Sequence, residues 1–334
     1  MHALVTGSSG FVGRHIVRRL AEEGHTVSAL DVVDGKHEGE SVRFVKADLR
    51  DRAAVKAALR DVDVVYHAAS RVQTRKTGAQ EVFDINVGGT QNLLDGCAEL
   101  GISKLVYVSS ASVVYGGQDI ERGDEHLPYP KSFHAPYAES KAKAEQVVLR
   151  ENDRRGVYTC AIRPHIVFGP GDTRFFPAVL SRARAGKLKA YVGDPHKLSD
   201  FTYVDNLVDG LLLAAAALGP RASASGQAFF VTNGEPTPFW EFVGRLLDGL
   251  GHPRPLVRVP YPIAFTTAAI REAVDAIRGI PTSEESLTRF TIRYLTTHHY
   301  FSHEKATRDL GYRPKVDLRE GITRTIAHLR ASST

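Results

Sequence analysis

Three observations predict an α/β fold, a doubly wound parallel Rossmann sheet with a smaller C-terminal substrate-binding domain. Short apolar runs alternate with helical patterns through the first half of the chain. A glycine-rich turn joins the first run to the first helix. After Pro164, glycine and proline become frequent and the pattern less regular. Apolar runs separated by helices make parallel βαβ units with right-handed crossovers. Strands covered on both faces are near-continuously apolar, as these runs are.

The elements follow in order. Ala3, Leu4 and Val5 form the first strand, and residues 11–23 a helix with Val12, Ile16, Val17 and Leu20 as its apolar positions. Further strands are expected at 26–30, 43–46, 62–67, 104–108 and 158–163, and helices at 53–59, 82–100 and 136–152. Residues 1–163 then form the Rossmann domain and 164–334 the smaller second region, with 200–217 returning to the main sheet.

Composition narrows the class. A chain of 334 residues buries a full core without disulfides or metal. Lys and Arg number 43 against 38 Asp and Glu, a net charge of +5. The basic residues are spread among acids, whereas a nucleic-acid binder gathers them into a patch, so nucleic acid is not an expected partner. No Cys or His spacing suits a metal site. Two cysteines, Cys97 and Cys160, exclude a disulfide scaffold. With no secretory leader in the pattern, a cytoplasmic location is expected. No run approaches the ~18 apolar residues of a membrane span. The nearest, 263–270, is short and meets Arg271, so spanning is excluded and surface contact with a membrane left open.

The turn reads Gly7-Ser8-Ser9-Gly10-Phe11-Val12-Gly13, a G-x-x-G-x-x-G spacing. Glycines allow close approach of a pyrophosphate to backbone, and the amides of Phe11 and Val12 open a helix whose positive end favours phosphate. Asp31 ends the second strand, 18 residues beyond Gly13. A carboxylate there accepts both adenosine ribose hydroxyls and repels a 2′-phosphate, favouring NAD over NADP. Asp48 and Leu49 are placed to meet the adenine edge. Ala68 and Ala69 offer small side chains where the coenzyme passes.

Tyr137 and Lys141 share one helix face, one turn apart. An ordinary phenol, with pKa ~10, is a poor base at neutral pH. A neighbouring ammonium and an oxidised nicotinamide are expected to pull it toward the working range. Lys141 can also hold the nicotinamide ribose. The fifth strand ends in Ser109, Ser110 and Ser112, where ligands bind in open α/β sheets. Ser110 is the chosen hydroxyl for the substrate oxygen, with Ser109 and Ser112 as alternatives.

These residues resemble the extended short-chain dehydrogenase/reductase superfamily. The segment from Arg163 through Pro164 and Ile166 to Pro170 is similar to the stretch that wraps the nicotinamide there. Ser109 to Tyr115, Gly123 to Tyr129, Asp200 to Asn206, Thr232 to Pro236 and His299 to Ser302 resemble the 3β-hydroxysteroid dehydrogenase family, above all its sterol-4α-carboxylate 3-dehydrogenase (decarboxylating) branch. The resemblance implies NAD-dependent oxidation of a sterol 3β-hydroxyl by Tyr137, Lys141 and Ser110. It also implies a homodimer through the helices at 82–100 and 136–152. A related branch implies reduction of 2-alkyl-3-oxoalkanoates, against which Asp31 counts mildly because those reductases look suited to NADPH. Family members often carry a membrane segment where this chain, over 260–280, is interrupted by charges.

On the substrate side, Tyr261, Ile263, Ala264 and Phe265, with Phe175, Phe176 and Leu180, either wall a pocket for a large apolar ligand or form the small domain's core. Arg71, Arg75 and Lys76 face either a substrate carboxylate or solvent. A nucleotide-sugar epimerase or dehydratase shares the fold and the Tyr/Lys pair, but needs a polar pocket for a second nucleotide. An NAD-sensing regulator is the non-enzyme alternative, disfavoured by the intact pair.

Overall fold

The computed structural model describes residues 1–37, 39–73, 79–278 and 288–332. Seven strands form one parallel sheet: β1 (His2–Thr6), β2 (Thr26–Asp31), β3 (Val42–Lys46), β4 (Val64–His67), β5 (Lys104–Val108), β6 (Tyr158–Pro164) and β7 (Ala228–Val231). Their spatial order is β7-β6-β5-β4-β1-β2-β3. The order reverses at β1, so the crevice opens between the C-terminal ends of β1 and β4.

Helices cover both faces. On one, α1 (Phe11–Glu22) and α5 (Val204–Ala216) bury Ile16, Leu20, Leu207 and Leu211 against the sheet. On the other, α2 (Arg52–Ala58), α3 (Gly89–Leu100) and α4 (Pro136–Arg150) bury Val55, Leu93 and Val148. The caps explain where helices begin. Asp51 accepts from the Ala53 and Ala54 amides, at 2.9 and 3.0 Å, and α4 opens with Pro136, whose missing N–H costs nothing in a first turn.

Two departures from the sequence reading bear on the site. The helix expected at 82–100 is broken: a short turn Ala79–Phe83 and a π-helical segment Asp84–Gly88 precede α3. The wide π turn carries Asn86, whose side chain bonds the backbone after β4. Second, the chain returns to the main sheet through β7, which pairs with β6 in parallel register. The strand Thr202–Tyr203 pairs instead with Val167–Phe168 in a separate two-stranded sheet, while α5 packs on α1.

The C-terminal half has its own aromatic core. Phe201 and Phe242 stack at 3.7 Å, with Phe168 and Phe176 against them. Phe176 and Leu180 are buried and Phe175 packs onto this cluster, so these three belong to a core. Of the other candidates, Ala264 is buried in a small cluster that Phe265 joins, while Tyr261 and Ile263 are exposed. Helix α6 (Tyr261–Arg278) shows Ile263, Ile270 and Ile277 to the outside. Among the described residues no helix is long and apolar enough to cross a membrane. Arg71 is exposed, whereas Arg75 and Lys76 lie outside the described residues.

Candidate active site

The glycine turn leaves no room for side chains. A Cβ at Gly13 would stand 2.0 Å from the Gly7 carbonyl oxygen, and one at Gly7 2.6 Å from the Ala69 backbone. Gly7 also has φ +67°, which L side chains rarely adopt. Ala68 and Ala69 therefore sit directly against the turn, with the Ala68 amide bonded to the Thr6 carbonyl at 3.2 Å. Helix α1 begins at Gly10 without a side-chain cap or an acidic residue in its first turn. The first-turn amides at Phe11 and Val12 have no carbonyl four residues back within the helix. This cradle fits a dinucleotide pyrophosphate.

Asp31 closes the second edge. Its carboxylate accepts from the Ser9 amide at 3.0 Å and the Val32 amide at 2.7 Å, tying the turn to the end of β2. Asp48 follows β3, where Arg50 grips its carboxylate through Nε and Nη2 and holds its pKa below the ordinary range. Leu49 is buried, with its side chain against Gly89 of α3. Behind the crevice, His67 bonds Thr6 at 2.7 Å and Thr90 at 2.8 Å. Burial, reinforced by the Lys141 charge, pushes its pKa down to about 3, so the imidazole stays neutral.

Ser110 and Tyr137 meet. Ser110 caps the short 3₁₀ turn Ala111–Val114, and its Oγ accepts from the Ser112 amide at 3.2 Å and the Ser112 hydroxyl at 2.9 Å. Its own proton is thereby free to donate, and Ser110 acts on the Tyr137 phenol in the direction that lowers its pKa. Of the alternatives, Ser112 donates to Ser110, while Ser109 Oγ is buried without a partner. The Tyr137 backbone is anchored by the Gln73 carbonyl at 3.1 Å and by the Ser140 hydroxyl at 2.9 Å.

The electrostatics differ from the sequence expectation. Burial pushes the Tyr137 phenol up, opposed by the Ser110 hydrogen bond and the Arg174 charge. Lys141 is not the cation that offsets it. Its ammonium donates to the Val108 carbonyl and lies 4.2 Å from the Tyr107 ring centre. Burial brings its pKa down to about 7, with Glu145, one turn on, pulling it back up. Glu145 is itself fully buried and clamped by Arg163, whose Nε and Nη2 donate at 3.0 and 2.6 Å.

The sequence reading missed four residues. Asn86 bonds the Arg71 amide and carbonyl at 2.7 and 3.0 Å and Ser140 Oγ at 2.9 Å, joining β4's exit to the first turn of α4. An amide side chain inside an apolar helical run was its signal. His165, between Pro164 and Ile166, faces the Asp200 carbonyl through Nδ1 at 2.7 Å and the Tyr294 hydroxyl through Nε2. A carbonyl only accepts, so Nδ1 carries the proton and Tyr294 donates to Nε2. Tyr294 lies on α7 (Arg289–Leu295) and stacks on His299 at 4.1 Å. Ile166 has φ +26°, a costly conformation for a β-branched residue. Arg174 is the fourth; no local pattern in the sequence marks it.

A dinucleotide cradle at strand ends, with a tyrosine and serine in contact beside it, defines an NAD(P)-dependent oxidoreductase of the extended short-chain dehydrogenase/reductase type. The chain belongs to the 3-beta hydroxysteroid dehydrogenase/isomerase family, whose profile matches residues 4–261. It is 38% identical over 331 residues to the mouse (Mus musculus) sterol-4-alpha-carboxylate 3-dehydrogenase, decarboxylating, covering 98% of this chain and 91% of that one. It is 39% identical over 343 residues to the 2-alkyl-3-oxoalkanoate reductase of Stenotrophomonas maltophilia, covering 100% and 99%. It spans 63% of a longer Arabidopsis thaliana relative, 3beta-hydroxysteroid-dehydrogenase/decarboxylase isoform 2, at 38% identity over 354 residues and 99% of this chain. Its fold is similar to that of the Thermus thermophilus UDP-glucose 4-epimerase solved with NAD, with a TM-score of 0.76 and 25% identity over 99% and 100% of the two chains.

Proposed function

We propose that the chain oxidises the 3β-hydroxyl of a steroid or sterol to the 3-ketone with NAD. The contact between Ser110 and Tyr137 beside the glycine cradle carries this reading. When bound, the nicotinamide accepts the hydride from the carbinol carbon. Tyr137 takes the hydroxyl proton at its phenolic oxygen. Once substrate is bound, Ser110, whose lone pairs are occupied by Ser112, turns its single proton from Tyr137 to the substrate oxygen and orients it. Lys141 holds the nicotinamide ribose, and with its pKa near 7 its Nζ passes a proton at neutral pH. Gly7, Gly10 and Gly13, with the Phe11 and Val12 amides, hold the pyrophosphate. Asp31 takes the adenosine ribose hydroxyls and disfavours a 2′-phosphate. Ala68, Ala69, Pro164 and Ile166 line the coenzyme's path, and Asp48 and Leu49 border the adenine. With a carboxylate at C4, the product is a β-keto acid, which loses carbon dioxide because the ketone accepts the electrons. The helices α3 and α4 supply the face for a homodimer.

A second reading is reduction of 2-alkyl-3-oxoalkanoates, favoured by the Stenotrophomonas relative, which aligns over 99% of its length. The same residues then run in reverse, with Tyr137 as the acid. Purified protein is incubated with NAD and, separately, a neutral 3β-hydroxysteroid, a sterol 4-carboxylate, a 2-alkyl-3-hydroxy acid and a UDP-sugar, and NADH absorbance is followed. Formation with either of the first two supports the steroid reading. Formation only with the third selects the second reading, and formation with none, or only with the UDP-sugar, overturns both.

A further inference from the structure

Beside α7 lies a cavity of about 700 Å³, within the range of small-molecule sites. Tyr294, close enough to the Tyr137 phenol to feel its charge, ties the cavity's border to the catalytic side. Tyr115, which follows the Ser110 turn, packs edge-on against Tyr294 at 5.1 Å, and its hydroxyl bonds Thr297 at 2.8 Å. Thr297 lines the cavity, and so does Arg293, on α7 with Tyr294. Gly193 borders it at φ +77°, and a Cβ there would stand 2.3 Å from Thr296, so only a bare backbone fits that rim.

Two arginines face this space. Arg258 donates through Nε to the Gly193 carbonyl at 2.9 Å. Arg293 lies 5.1 Å from the Phe265 ring and contacts His134 Nε2 at 3.1 Å. Among the described residues neither forms an ion pair with a carboxylate; Asp194 also lines the cavity, and its carboxylate accepts the His196 amide at 3.0 Å. Each guanidinium has five donors, and one neutral contact apiece leaves a planar fork for an oxyanion. Tyr261 and two prolines supply the apolar surface.

We propose that this cavity receives an anionic group, carboxylate or phosphate, on the part of an amphipathic substrate remote from the reacting carbon, with Arg258 and Arg293 as its partners. The proposal rests on the steroid oxidation above and narrows its substrate to acidic steroids or their phosphate-bearing thioesters. Turnover with NAD is compared for a neutral 3β-hydroxysteroid, the same nucleus with a side-chain carboxylate, and its coenzyme A thioester. Binding of the carboxylate and of UDP is measured in parallel by calorimetry. The expected result is a lower KM for one acidic form, and about a tenfold loss of kcat/KM for it relative to the neutral steroid in R258Q, the scale of one charge-assisted hydrogen bond. R293K, which keeps the charge, loses less than R293Q. Whichever acidic form shows the loss identifies the source of the anion. Equal KM values for neutral and acidic steroids, or an R258Q ratio like wild type, overturn the proposal. UDP binding lost in R258Q while steroid carboxylates fail to bind also overturns it. If no steroid is turned over yet the carboxylate binds and R258Q abolishes binding, the site stands and the oxidation reading falls.

Discussion

The two sides of the crevice are built differently. The coenzyme side is made of backbone: a glycine turn, a helix start and two alanines, all within the first 69 residues. The substrate side is made of side chains from distant segments. His165 and Tyr294 are 129 positions apart, and Tyr115 meets Thr297 across 182. A backbone cradle serves any dinucleotide, since pyrophosphate is the same in all of them. A wall of long-range side-chain contacts differs with every chain that folds it, and under the proposed function it is the place to look for selectivity.

Four measurements break or sharpen that contrast. The largest effect is expected from Tyr137→Phe, where both sides meet. Turnover falls by about 10³-fold, in the range of general acid–base catalysis, while the NAD dissociation constant stays within about threefold. Retained turnover removes Tyr137 from proton transfer.

Asp200, buried on the substrate side, accepts the Phe301 amide at 2.5 Å, and burial pushes its pKa up to about 7. A carboxyl raised in the folded state stabilises below its unfolded pKa, and that contribution is lost as pH rises from ~4 through ~7. Moving from 3.8 to about 7 corresponds to on the order of 4 kcal/mol. Denaturant titrations should show Asp200→Asn gaining stability over wild type across that window and staying level above it. His67 and His299, lowered to about 3 and about 4, act oppositely and lose stability as pH falls below ~6.5, so the difference between the two proteins is the quantity to read. A pH-independent difference refutes the assignment.

Asp31→Ala should shift the NAD to NADP ratio of kcat/KM by about tenfold toward NADP, through lost hydrogen bonds and lost repulsion. An unchanged ratio separates Asp31 from the ribose. The smallest effect is expected from Ser112→Ala. Removing the hydroxyl that points Ser110 toward Tyr137 should cost about fivefold in kcat, the scale of one neutral hydrogen bond, with little change in coenzyme binding. A loss in coenzyme affinity instead would mean that the two sides are not separable.

Much of the coenzyme side is legible because its signals are local. Gly7, Gly10 and Gly13 are spaced by the turn itself, and of the three serines that follow β5, Ser110 is the one that acts on the Tyr137 phenol. Lys141 is legible as a partner of Tyr137 by helix spacing, but its surroundings are not. Burial against Tyr107 and the Val108 carbonyl lowers its pKa, and no spacing rule reports burial. The strand β7 escapes a pattern search because Ala228–Val231 is an apolar run of only four residues in the less regular half of the chain.

The order of strands and helices, the glycine turn and the spacing of Tyr137 and Lys141 follow from patterns within a few residues, because backbone sterics and hydrogen-bond spacing act at that range. Folding alone decided which distant groups share the buried space behind Tyr137. The pairing of His165 with Tyr294, the neutral His67 and the two arginines at the outer cavity depend on packing and desolvation, which arise only when the layers close.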